Sequence, residues 1–163
     1  MQETASIDQA LAERFAATPE GYIPKDPGRH ELRKCGLKED VLILQIEEAL
    51  FELKLPLTDT LVQYASTRGY LHYRTYSDIR SKGMILMRTK TLYLYHLHRP
   101  NKHFTRKMTS DTFLQIVGPE ETLSDVFAPT VFAISTDEAY VLIHTSPVTT
   151  ENLLDETPSQ RQP

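Results

Sequence analysis

Apolar residues recur along this chain with two different periods. Ile46, Ala49, Leu50 and Leu53 fall on one face of a 3.6-residue repeat, and Pro56 closes the run, which predicts a helix there. Thr58 or Asp59 can cap a second helix carrying Leu61, Val62, Tyr64 and Ala65, broken near Gly69. Tyr73, Tyr76, Ile79 and Arg80 continue the helical spacing, and Gly83 supplies the residue that ends helices at low cost. Two β-favouring runs follow, Met84 to Met87 and Leu92 to Tyr95, separated by Thr89-Lys90-Thr91. Upstream, Val41 to Leu44 reads as a strand. Downstream, Thr112 to Val117 is another, and Pro119-Glu120-Glu121 starts a brief helix with Leu123, Val126 and Phe127 as its buried face. Val131 to Ser135 and Tyr140 to Thr145 bracket Thr136-Asp137-Glu138-Ala139 as a closing hairpin.

This order predicts an α+β protein, with a small helical subdomain ahead of a mixed sheet flanked by helices. Residues 1–38 are polar and interrupted by Pro24, Pro27 and Gly28. Ile7, Leu11 and Phe15 suggest a short amphipathic helix, in a segment expected to be loosely docked or disordered. The helical subdomain spans 39–68 and the sheet domain 69–147. The Thr, Glu, Asp, Pro and Gln-rich stretch 148–163 reads as a disordered tail.

Composition narrows the class. With 163 residues, 40% hydrophobic and 25% charged, the chain suits one ordinary domain or two small subdomains sharing a core. No apolar run approaches the length a bilayer requires, and Met1 to Leu11 lacks a basic start and apolar centre, so an intracellular protein is expected. Cys35 is the single cysteine, which rules out an intrachain disulfide and a cysteine-based zinc site.

Charge is unevenly placed. Arg68 to Lys107 holds ten Lys plus Arg against one acid, Asp78, although the whole chain carries −4. Such asymmetry points to a surface that meets a polyanion or an acidic protein, or else to a solvated basic element. Arg88, Lys90, Arg99, Lys102, Arg106 and Lys107 are the candidate RNA contacts. Tyr73, Tyr76, Tyr93, Tyr95 and Phe104 are interleaved with them, either as base-stacking groups or as half-buried core. His96, His98 and His103 are too poor in neighbouring carboxylates to suggest a metal site, and no metal or cofactor is expected. Phosphate-binding, dinucleotide and serine-hydrolase motifs are absent.

Three stretches together carry a family resemblance. Glu47-Glu48-Ala49-Leu50-Phe51 is followed by Tyr73-x-x-Tyr76-Ser77-Asp78-Ile79-Arg80-Ser81-Lys82-Gly83, and then by Phe113-Leu114-Gln115-Ile116-Val117-Gly118-Pro119-Glu120-Glu121. With the closing Val131 to Val141 hairpin, this resembles the tRNA-splicing endonuclease family over about residues 41 to 146. The resemblance implies a nuclease-like sheet domain. In that family the 2′-hydroxyl of a precursor tRNA attacks the adjacent phosphate without a metal, assisted by Tyr, His and Lys. Tyr95 stands at the tyrosine position. Ser110, Asp111 and Thr112 stand where the histidine is expected, and Thr130 where the lysine is expected; no lysine follows Lys107.

The resemblance therefore implies a structural, catalytically degenerate subunit that supports assembly with catalytic endonuclease subunits and binding of precursor tRNA. It would act in the nucleus of a eukaryote or the cytoplasm of an archaeon. The implied subunit interface is Asp137, Glu138, Tyr140, Val141, Leu142 and Ile143, through strand addition at an edge and an acidic turn entering a basic groove. The alternative is a stand-alone RNA-binding protein or ribonuclease that uses the 99–107 loop, with Tyr95, His103 and Lys107 as its chemical groups.

Overall fold

The computed structural model describes residues 2–56, 58–66, 70–123, 128–136 and 139–147. Within them the chain forms α1 (Gln2–Arg14), β1 (Phe15–Thr18), β2 (Gly21–Pro24), a 3-10 turn (His30–Lys34), β3 (Leu37–Lys38) and β4 (Leu42–Ile43). Three helices follow: α2 (Ile46–Leu53), α3 (Asp59–Ser66) and α4 (Tyr70–Ser81). The sheet strands are β5 (Ile85–Arg88), β6 (Leu94–His98), β7 (Phe113–Val117), β8 (Thr130–Ser135) and β9 (Tyr140–Thr145). The architecture is α+β. A five-stranded sheet in sequence order is antiparallel except for the parallel β7–β8 pair, and two two-stranded ribbons sit in the N-terminal half.

Helix α4 ties two apolar clusters together. Tyr73 packs in the first, with Ile7, Leu11, Phe15, Leu32, Leu44, Leu50, Leu61 and Tyr64. One turn on, Tyr76 and Ile79 enter the second, with Leu86, Tyr95, Leu114, Ile116, Val131 and Ala133 from the sheet. Full burial of a side chain such as Leu50 or Leu86 contributes roughly 1.5–3 kcal/mol before entropy is counted. The helix ends where the sequence predicts: Gly83 lies at φ +88°, and its N–H reaches the Arg80 carbonyl at 2.9 Å.

The N-terminal segment differs from its expectation of loose docking or disorder. Ile7, Leu11 and Phe15 are buried in the first cluster. Polar contacts over long sequence distances also hold it: the Tyr64 hydroxyl donates to Asp8 at 2.8 Å, and Arg14 donates to the Glu52 carbonyl at 2.6 Å. The β1–β2 ribbon joins β4 through paired bonds between Tyr22 and Leu44, each 2.8 Å. Gly21 permits that approach, because a Cβ there would run into the Leu44 carbonyl oxygen and φ is +142°. The first cluster therefore runs from Ile7 to Tyr73, across the predicted boundaries at 38 and 68.

Smaller departures have local causes. Only Leu42 and Ile43 of the expected Val41–Leu44 strand are paired as β4, and Val41 is exposed. The second β-run begins at Leu94 because Tyr93 adopts φ +59° and Leu92 faces solvent. Tyr93 instead stacks on His72, ring centroids 3.6 Å apart, and His72 Nε2 meets Glu121 at 2.9 Å. No helix forms across 119–123: Glu121 turns back to accept the Gly118 N–H at 2.7 Å, and Leu123 is exposed. Val126, Phe127 and the 148–163 tail lie outside the described residues.

Helix α2 carries a buried polar seam between the clusters. Its caps follow the expected chemistry: Glu48 accepts the Gln45 N–H, as in a capping box, and its other oxygen accepts the Gly36 N–H, both at 2.8 Å. Glu47, Glu48 and Glu52 are all buried, although the sequence suggests only the apolar residues as the packed face. Arg80, itself buried, lies 3.7 Å from Glu52, donates to the Met84 carbonyl at 3.0 Å and sits 5.1 Å from the Phe51 ring centre.

Candidate functional site

Strand register gathers the three positions that the resemblance marks for catalysis. Tyr95 on β6 is opposite Leu114 on β7, and Phe113 is opposite Thr130 on β8, so these positions occupy neighbouring strands at one end of the sheet. None of the groups standing there is a histidine or a lysine. Tyr95 is fully buried, its hydroxyl donates to Glu47 Oε1 at 3.3 Å, and burial drives its pKa well above the ordinary phenol value. Ser110 Oγ donates to the Leu97 carbonyl at 2.5 Å, and Thr130 Oγ1 to the Ala128 carbonyl at 2.9 Å. Asp111 is exposed at the head of β7.

The set Tyr95, His103 and Lys107 is not assembled. Tyr95 faces α2 and α4, while Phe104 of the 99–109 loop packs edge-on against His98, on the opposite sheet face. His103 and Lys107 are exposed in that loop. The interleaved aromatic groups also belong to the interior. Tyr73, Tyr76, Tyr95 and Phe104 are buried, and Tyr93 is half-buried against His72, so they are not available as an open stacking platform. Among the described residues no three His, Cys, Asp or Glu side chains converge as metal ligands.

Much of the basic charge counted along the sequence is directed inward or already paired. Arg106 donates to the carbonyls of Leu32 (2.7 Å), Gly36 (3.4 Å) and Cys35, pinning the 3-10 turn to the basic loop. Arg88 donates to the Ile43 carbonyl at 3.3 Å. Lys90 pairs with Glu39 at 2.8 Å on the surface. Lys82 bonds Asp78 at 2.7 Å and the Tyr140 hydroxyl at 3.0 Å, and these partners hold its ammonium above its ordinary range. Of the six candidate RNA contacts, Arg88 and Arg106 are thus committed within the fold, and Lys90 is exposed but paired with Glu39. Arg99, Lys102 and Lys107 remain exposed on the 99–109 loop.

The far side of the sheet presents a different surface. Strand β9 pairs with β8 along one side and, among the described residues, with no strand along the other. Three consecutive apolar residues on it are open to solvent: Val141 (61%), Leu142 (44%) and Ile143 (43%). Alternation places Leu142 with Tyr140 on the helix side, and Val141 and Ile143 on the other. Beside Tyr140 a cleft of about 750 Å³ opens between β9 and α4, lined by Leu55, Tyr73, Ser77, Asp78, Lys82 and Leu142 among others. The Tyr140 hydroxyl donates to Asp78 and receives Lys82, which fixes the start of β9 onto the helix. Asp137 and Glu138, at the hairpin tip, lie outside the described residues.

No protein-family model matches the chain, and no curated protein matches it. No helix among the described residues is long and apolar enough to cross a membrane. Sequence reasoning missed two groups of residues. The buried carboxylates of α2 are invisible because their partners, Tyr95 and Arg80, come from other elements. A pocket that joins Lys38 to His96, His98 and Lys107 is likewise assembled from distant segments. The pairing of His96 and His98 two residues apart on a strand was its only local signal.

Proposed function

We propose that this chain is a noncatalytic subunit of a tRNA-splicing-endonuclease-type complex, and that its work is association through the β9 edge. The observation that carries the reading is the exposed Val141-Leu142-Ile143 run on a strand whose outer side, among the described residues, pairs with no other strand. Such edges are normally blunted by charge, proline or a bulge, and an apolar one is a template for strand addition by another chain. Further support comes from the three positions that would hold a cleavage triad. They carry a buried tyrosine, two hydroxyls bonded to main-chain carbonyls and the exposed carboxylate of Asp111, with neither the histidine nor the lysine cation that the reaction uses. Precursor tRNA would be contacted through Arg99, Lys102 and Lys107, by phosphate more than by base.

Co-expression with catalytic endonuclease subunits, followed by affinity capture and a precursor-tRNA cleavage assay, tests the reading. The wild-type chain is expected to co-purify and to be required for cleavage, with no cutting by the chain alone. Val141→Lys with Ile143→Lys is expected to weaken capture by about tenfold or more, because each charge must be desolvated at a packed edge. Both sites are exposed, so the fold itself should persist. Capture unchanged in the double variant, or precursor cleavage by the purified chain alone, would overturn the proposal.

A further inference from the structure

We propose that the pocket between the β5–β6 hairpin and the 106–110 loop binds a phosphate group. It has a volume of about 320 Å³ and is lined by Lys38, His96, His98, Arg106 and Lys107, with no Asp or Glu among its lining residues. Arg88 also borders it, but as the cross-strand partner of Tyr95 it sends its guanidinium to the other face, onto the Ile43 carbonyl. It lies on the sheet face opposite Tyr95, since Met87 pairs with His96 and Ile85 with His98.

The donors come from three separate parts of the chain. Lys38 and Lys107 stand exposed at the rim. Arg106 is held in the wall by its bonds to the carbonyls of Leu32, Cys35 and Gly36, which account for three of the five N–H donors a guanidinium carries. His96 is half-buried, with a fully buried Nδ1 that has no hydrogen-bond partner. A proton on that nitrogen would be buried without an acceptor, so the neutral ring carries it on Nε2, leaving Nε2–H as a donor. His98 has its pKa lowered, chiefly by burial and next by the neighbouring His96, and lies two residues from it on the same face of β6.

A cluster of cations and N–H donors without a carboxylate is electrostatically incomplete. A tetrahedral oxyanion accepts from several directions at once, whereas a planar carboxylate offers fewer. The cavity has room beyond a single phosphate, which suits a phosphate carrying a sugar. The assignment stands on this pocket alone. It does not depend on the β9 edge, so the association experiment can fail without affecting it.

The test follows the imidazole resonances of His96 and His98 by NMR at fixed pH. The full chain is titrated with inorganic phosphate, and separately with a short single-stranded oligoribonucleotide. Both histidines are expected to shift and saturate, and Lys38→Ala or Lys107→Ala should each weaken the response by about tenfold, as loss of one phosphate contact does. Lys25→Ala, outside the pocket and outside the basic loop, should leave it unchanged. Saturation by the oligoribonucleotide at much lower concentration than inorganic phosphate would identify backbone phosphates as the source. Equal affinities per phosphate would identify a small-anion site. Absence of shifts at His96 and His98 with both probes, or identical titrations in wild type and the two lysine variants, would overturn the assignment.

Discussion

Replacing Arg80 with alanine is expected to destabilise the fold by about 3–5 kcal/mol, the range found when one member of a buried ion pair is removed. The Arg80 side chain is 7% exposed and that of its partner Glu52 only 2%. Burial already pushes the Glu52 carboxyl up, and Arg80 is the strongest influence in the opposite direction. Alanine would leave that carboxyl without its main counter-charge and the Met84 carbonyl without its Arg80 donor, and would remove the guanidinium from the face of Phe51. Denaturant unfolding at neutral pH measures the loss. The Arg80→Met, Glu52→Leu double variant should recover most of it, because two apolar groups impose no desolvation penalty. A cost below about 1 kcal/mol for Arg80→Ala would show that water or another group replaces the guanidinium.

The second large effect is one of pH. Burial, as the principal cause, raises the Glu47 carboxyl from 4.5 to about 7. Because the folded pKa exceeds the unfolded one, the native state holds a proton that the unfolded chain releases. The contribution of this group to stability is therefore fully present below about pH 4.5, declines as pH rises, and is lost above about pH 7. Across that window the loss amounts to about 3 kcal/mol. Glu47→Gln removes the titration while keeping an oxygen for the Tyr95 hydroxyl. Its stability relative to wild type should therefore rise by about 2.5 kcal/mol between pH 5 and pH 8, read from unfolding midpoints at the two values. Parallel pH profiles for the two proteins would place the titration elsewhere. Glu48, also raised by burial, keeps its own contribution in both.

These two glutamates show where sequence reading reached and where it stopped. Elements fixed by local chemistry were legible: Pro56 and Gly83 bound their helices, Thr58 accepts the Leu61 N–H at 3.2 Å as an N-cap, and the β8–β9 hairpin falls where its two apolar runs lie. What depends on a distant partner was not. The 2–38 segment looks too polar to fold because only a few of its apolar residues recur at helical spacing, yet each meets a partner supplied from α2, α3 or α4. Acids on α2 look solvated until Tyr95 and Arg80 are placed beside them. Charge along 68–107 could be counted, but not its direction, and Arg106 points into the fold while Lys107 beside it points out. The candidate site divides the same way: Tyr140 to Ile143 could be named as an interface only because the resemblance implies strand addition there, whereas the pocket of Lys38, His96, His98 and Lys107 required the register of β5 with β6 and the course of the 106–110 loop.

Helix α4 serves both clusters along one face, Tyr73 packing in the first and Tyr76, one turn on, in the second. Tyr73 and Tyr76 are one turn apart on α4, so opening either cluster is expected to disturb the packing of the other. Amide protons of α2, α4 and β7 should therefore exchange with solvent at a common, global free energy. A protease would find no site between the clusters at which a cut leaves two independently folded pieces. The described residues are therefore expected to unfold as one cooperative unit, even though the charge and apolar patterns of the sequence divide it in two.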